Sequence, residues 1–223
     1  MCFSATASFS AGVVLTVIGV ASIKKTNHKS QLMFASIPLI FGVQQLAEGL
    51  LWISLPNPDL INTHKFAAII YLIFAQIVWP IWVPIAILKL EKSATRKTIQ
   101  RIFVGAGILV GSYLAYCLII FPLEAKIIGH HIAYFQHYPL SIKPFIMVLY
   151  ASATVVPFLF SHIKRMWIFG VSILISYIVT VIFYEQYTLS VWCFFSSIIS
   201  ISIYLLVEDI SKMRKQKLDL IST

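Results

Sequence analysis

The chain alternates long apolar runs with short polar, mostly basic breaks. Seven runs reach or approach the roughly 20 residues a helix needs to cross a hydrocarbon core about 30 Å thick. They cover Phe3–Ile23, Gln31–Leu55, Phe66–Leu88, Ile102–Leu123, Pro144–Phe160, Met166–Tyr184 and Thr188–Val207. Each run is continuous rather than alternating, which excludes a membrane β-barrel. The fifth is the shortest and carries Pro157. The pattern predicts an all-α polytopic membrane protein, a bundle of seven transmembrane helices over 1–207 with a short tail, 208–223.

The basic residues orient the bundle. Lys24, Lys25 and Lys29 follow the first span, and Lys89, Lys92, Arg96, Lys97 and Arg101 follow the third. Lys164 and Arg165 follow the fifth, and Lys212, Arg214, Lys215 and Lys217 follow the seventh. The opposite side holds Lys65, Lys126 and Lys143. By the positive-inside rule the first set is cytoplasmic, which puts the N-terminus outside and the C-terminus inside. The first span has no basic stretch before it, so it reads as an uncleaved first helix. The external loop Glu124–Lys143 has room for a reentrant or surface helix.

Composition agrees. Of 223 residues, 59% are hydrophobic and 11% charged, with a formal net charge of +9. That is too little charge to wet a globular surface, and it excludes an ordinary cytosolic enzyme and a disordered chain. The positive excess is a topology signal and a contact for lipid headgroups, not a nucleic-acid footprint. The expected partners are the lipid bilayer and a small-molecule or ion ligand, with no nucleic acid.

Candidate chemistry centres on the second span. Glu48 is an acid well inside an apolar run, and such residues face the bundle interior or a wet cavity. Gln44, Gln45 and Trp52 fall at helical spacing around it and share its stripe. That stripe predicts a proton-carrying or cation-binding carboxyl oriented by two amides; its bland alternative is a neutral Glu acting as interhelical glue. Gln76 in the third span is a further neutral partner. Downstream of it, Pro80 and Pro84 free backbone carbonyls in mid-span, which predicts a kinked helix. Ser8-x-x-x-Gly12 and Gly107-x-x-x-Gly111 are small-residue patterns for close helix packing. Ile-Phe-Gly-Val recurs at 40–43 and 168–171, a faint sign of an internal repeat.

The three cysteines, Cys2, Cys117 and Cys193, all fall toward the external leaflet under this topology. A Cys2–Cys193 disulfide requires spans one and seven to be neighbours; otherwise the buried thiols are small apolar side chains. His130, His131 and His137 lie in the external loop. With Cys2, Glu48 and Cys193, His130 and His131 form a conceivable transition-metal site, although adjacent histidines lack the spacing of a helical metal motif. There is no Walker A run and no Gly-x-Ser-x-Gly elbow.

Three stretches carry a resemblance: Met1-Cys-Phe-Ser-Ala-Thr-Ala-Ser-Phe9, Gln44-Gln-Leu-Ala-Glu-Gly-Leu-Leu-Trp52 and Trp192-Cys-Phe-Phe195. Together they resemble a family of small bacterial multi-pass membrane proteins with no assigned activity. The resemblance implies an integral protein of the bacterial cytoplasmic membrane, and it implies that Cys2, Glu48 and Cys193 belong to one constellation. Three functions remain in view. The first is a transporter or permease with an external-half pocket centred on Glu48. The second is a membrane sensor using the basic face as output. The third is a metal-dependent intramembrane enzyme.

Overall fold

In a computed structural model of the chain, the described residues are 4–136, 142–163 and 165–222, with side chains described as far as Lys212. Cys2 and His137 lie outside them. The helices are α1 (Ala5–Lys24), α2 (Leu32–Ala35), α3 (Ile37–Ser54), α4 (Ile61–Leu72), α5 (Trp79–Leu90), α6 (Ala94–Ile120), α7 (Lys143–Leu159), α8 (Met166–Phe183), α9 (Thr188–Ser200) and α10 (Ile203–Ser222). Six helical stretches are long and apolar enough to cross a membrane, and the apolar helix Lys143–Leu159 is shorter. Large apolar side chains point outward around the bundle, among them Val17, Ile119, Val148, Ile182 and Phe183. Such a surface is costly in water and at ease in lipid.

Several spans are longer than their apolar runs. The third covers Pro58–Leu90 and the fourth Ala94–Ile120. The fourth starts early because Arg96, Lys97 and Arg101 sit on helical turns, where long basic side chains carry their charge outward. It ends at Ile120, three residues before the predicted limit. Phe121 is extended, with φ −98° and ψ 143°, as the residue before Pro122 prefers to be. The tail is helical rather than irregular: α10 runs on through it.

The loop after α6, which has room for a reentrant or surface helix, forms a β-hairpin. Strand β1 (Leu123–Ile128) pairs antiparallel with β2 (His131–Gln136), Ile128 facing His131. Gly129 opens the two-residue turn at φ 61°, a backbone state that glycine enters without strain. Leu123, Ala125 and Ile127 are half-buried while Glu124, Lys126 and Ile128 are exposed. Ile132 and Ala133 of β2 are buried.

Two spans are discontinuous. A π segment, Ile73–Val78, joins α4 to α5, and the Trp79 N–H bonds five residues back to the Phe74 carbonyl. The Ala75 carbonyl would next take the amide of residue 80, but Pro80 has none. The Tyr150 hydroxyl donates to that carbonyl instead. Similarly, Pro84 leaves the Pro80 carbonyl without its helical donor. Gly107 of α6 packs against that carbonyl so closely that any Cβ would collide with it. The last span breaks at Ile201–Ser202, between α9 and α10. There the amides bond three residues back, Ile201 to Ile198 and Ser202 to Ile199, and the Ser197 and Ser200 hydroxyls also donate to carbonyls three residues back.

Small residues set the most extensive helix contact, between α1 and α3. A Cβ on Gly12 would meet Leu46, one on Gly42 would meet Thr16, and one on Gly49 would meet Phe9. Ser8, Gly12, Leu15, Gly19 and Ser22 form the buried face of α1, so the Ser8–Gly12 pattern serves packing. The glycines of the two Ile-Phe-Gly-Val stretches each face the preceding span: Gly42 faces α1 and Gly170 faces Phe158 and Leu159 of α7.

The basic segments gather at one end of the bundle. Glu208 pairs with Lys25 (3.6 Å) and Lys212 (3.0 Å), and Asp209 with Arg165 (2.6 Å). Glu91, whose side chain is fully buried, accepts from the backbone N–H of His162 at 3.0 Å and faces its Nδ1 at 2.8 Å. The hairpin closes the opposite end.

Candidate functional site

The stripe read from the sequence is buried as expected: Gln44, Gln45 and Glu48 are all 0% exposed. The Ser190 hydroxyl donates to Glu48 Oε1 at 2.5 Å. Ser190 belongs to the first turn of α9, so the carboxyl sits where a helix presents unpaired N–H groups and the positive end of its dipole. Among the described residues Glu48 Oε2 has no hydrogen bond of good geometry, although the neighbouring Gln45 side chain lies close enough to the carboxyl to interact with it. The donor that the structure places on the carboxyl is the Ser190 hydroxyl.

Cys193, one turn beyond Ser190, is a buried free thiol. Gln44 and Tyr71 approach it, and Glu48 lies within electrostatic reach. Spans one, two and seven therefore do meet: α3 packs on both α1 and α9, and α1 touches α10. Gln44 is held from the other side, its Oε1 accepting from Trp79 Nε1 at 2.7 Å. Trp52 is half-buried against the cluster containing Ala47, Leu51, Tyr71 and Cys193, and its Nε1 has no partner in the protein. Gln76 is placed elsewhere. It donates to Gln136 of the hairpin at 2.6 Å and does not bond to Glu48.

The hairpin caps this cluster. Tyr134 stacks on Tyr71, ring centres 5.0 Å apart and planes within 3°. The Tyr71 hydroxyl reaches the Leu189 carbonyl at 3.3 Å. His130 is exposed at the turn. His131 stacks on Tyr187 at 4.5 Å and meets Tyr184 edge-on. Burial, and then the neighbouring His130, lower the His131 pKa. Among the described residues no group of three or more His, Cys, Asp or Glu side chains could hold a metal ion. The mixed metal site read from the sequence also needs Cys2, which lies outside them.

Below the cluster, toward the basic end, lies a cavity of about 40 Å³ of water-accessible space. Its wall includes Phe41, Trp79, Tyr150, Phe158, Phe169 and Trp192, together with Thr154, Cys193 and Ser196. Phe41 and Trp79 are stacked at 3.9 Å. Glu48 is not part of the wall. Cys193 and Trp79 are, and both contact Gln44 on the Glu48 side. Both interrupted spans line the cavity, its wall residue Trp79 directly following the π segment and the last span breaking five residues after the wall residue Ser196.

Sequence reasoning missed Ser190, Tyr71, Tyr134, Gln136 and Tyr150. Ser190 had a local signal, since three residues before Cys193 on a helix is the same face. The others depend on which elements pack together.

A family model described as Family of unknown function (DUF6629) matches residues 1–218. The chain belongs to that family. The match spans all three stretches that carried the resemblance. No curated protein and no solved structure matches the chain.

Proposed function

We propose that this member of the family is a small permease of a bacterial cytoplasmic membrane, with its basic end in the cytoplasm and its hairpin outside. In this reading the aromatic cavity receives a small solute and Glu48 exchanges a proton as the solute enters and leaves. One observation carries the reading: the cavity is lined by two interrupted spans, and its wall residue Cys193 lies within electrostatic reach of a fully buried carboxyl. Interrupted helices at mid-depth are where transporters bind substrates and where their halves rock. Irregular backbone at that depth is tolerated only where protein or a cavity satisfies it. Opening toward the outside would undock the hairpin by breaking the Gln76–Gln136 bond and the Tyr71–Tyr134 stack. Opening toward the inside would part the Glu91–His162 contact.

Cys193 is a native reporter, because it lines the cavity. In a Cys2→Ser, Cys117→Ser background, a membrane-impermeant maleimide is added to either face of oriented vesicles. A permease exposes Cys193 to both faces in turn. Labelling from one face only, or from neither, contradicts carriage.

A sensor is the second reading, and α10 favours it. This helix runs unbroken from the mid-span break into the tail, so a ligand that moved the break would move the tail. One-sided labelling of Cys193 is the result that reading expects.

A further inference from the structure

We infer that the solute is a small organic cation of the alkylammonium type, held by aromatic faces and balanced by Glu48. This inference deepens the permease reading of the same site.

The wall decides the class. Half of the residues lining the cavity are Phe, Tyr or Trp, and none carries a charge. Three of the wall's hydrogen-bonding groups are committed inside the protein, whereas the Trp192 Nε1 has no partner among the described residues. Tyr150 donates to the Ala75 carbonyl, Thr154 to the Tyr150 carbonyl at 2.9 Å, and Trp79 to Gln44. Such a wall offers a sugar, an amino-acid carboxylate or a phosphate one free N–H and no counter-charge. It offers π-faces, and rings drawn from several helices around one small space are how proteins hold quaternary ammonium groups.

Size agrees. A sphere enclosing the 40 Å³ available to a water's centre, enlarged by the water radius, is roughly 3.5 Å in radius. That is the scale of a trimethylammonium or tetramethylammonium head.

Charge completes the argument. A cation in an apolar interior needs a counter-charge within reach. Glu48 is buried, accepts from Ser190 through one oxygen, and stands behind the cavity-wall residue Cys193. Along α3 it is seven residues from the wall residue Phe41, about 10 Å of helix rise. When the cation enters, the Glu48 carboxyl gives up its proton to the open side and the site keeps its net charge. When a proton returns, the cation loses its counter-charge and leaves.

The test is calorimetric titration of the full-length protein in lipid nanodiscs. Tetramethylammonium and choline are compared with 3,3-dimethyl-1-butanol, the neutral carbon isostere of choline. The expected result is saturable binding of both cations, with the isostere weaker by about tenfold or more. Glu48→Gln and Trp192→Leu should each weaken choline by about tenfold. Trp192→Phe, which keeps a ring, should retain most of the affinity and shows that loss in Trp192→Leu is not misfolding. Equal binding of choline and its isostere overturns the inference, as does the absence of saturable cation binding up to about 10 mM, beyond the weakest affinity a specific site would show. The two readings fail separately. Cys193 labelled from both faces without cation binding removes the substrate class alone. Cation binding with one-sided labelling removes carriage alone.

Discussion

Tyr150→Phe should destabilise the protein through a carbonyl two helices away. Pro80 withholds the amide that the Ala75 carbonyl would otherwise receive, and the Tyr150 hydroxyl takes its place. Ala75 is 1% exposed, so without the hydroxyl its carbonyl is stranded in an apolar interior. An unsatisfied buried acceptor costs about 1–3 kcal/mol, a factor of roughly 5–150 in the folding equilibrium. The ring itself stays, and with it the packing on Trp192 at 5.7 Å, so little else is lost. Pro80→Ala restores a backbone donor and should make the hydroxyl partly redundant. The two substitutions are therefore coupled by about 1–2 kcal/mol, Tyr150→Phe costing less in the Pro80→Ala background. Reversible unfolding in mixed micelles, titrated with a denaturing detergent across the four proteins of the cycle, measures this. If Tyr150→Phe costs the same in both backgrounds within about 0.5 kcal/mol, the hydroxyl is not replacing a missing amide, and this account of the π segment is wrong.

Other substitutions probe the same framework. Gly107→Ala should cost about 1–3 kcal/mol or more by forcing α6 off the Pro80 carbonyl, whereas Gly105→Ala, with nothing within 4 Å of a new Cβ, should be neutral or slightly stabilising in the same thermal melts. Ser190→Ala should cost about 1–3 kcal/mol by removing the donor to Glu48, and in a Glu48→Gln background the same change should cost less. Gln136→Leu should strand the Gln76 amide, loosen the hairpin and raise the rate of Cys193 labelling from the hairpin side while leaving the opposite rate unchanged. The hairpin should also respond to acid. His131 has its pKa lowered in the folded protein, so folding favours its neutral form. That contribution is present above the ordinary histidine range and is lost as pH falls through it. Hydrogen-exchange protection of β2 should therefore drop on acidification, and His131→Gln should flatten the dependence.

How much the sequence disclosed varies from element to element, for physical reasons. Continuous apolar runs mark the helices because a lipid-facing and bundle-facing helix has little reason to carry charge. Their ends were less clear, since Arg96, Lys97 and Arg101 continue the fourth span as helical turns beyond its apolar part. The hairpin was missed although its signal is present: Leu-Glu-Ala-Lys-Ile alternates with period two and is followed by Gly129. A loop between two strong spans invited a helical reading of a stretch that alternates. The Glu48 stripe was legible because helical spacing alone aligns Gln44, Gln45 and Trp52 with it. The partner of Glu48 was not, because Ser190 is 142 residues away and joins it only when α9 packs on α3. Gln76 was drawn to the wrong partner for the same reason, its true one lying on the unrecognised hairpin. The cavity had no local signature at all. Five helices contribute to its wall, so it exists only once they pack together.

The proposal that Glu48 exchanges a proton as the cavity opens to either face predicts that its protonation biases which face is open. The labelling rate of Cys193 from each face, measured in the Cys2→Ser, Cys117→Ser background between about pH 5.5 and about pH 8.5, tests it directly. A linked carboxyl should change the ratio of the two rates by about threefold or more, the shift expected when a titrating group biases a two-state equilibrium by somewhat under 1 kcal/mol. Glu48→Gln should hold that ratio constant. A ratio that changes with pH equally in both proteins, or in neither, contradicts the claim.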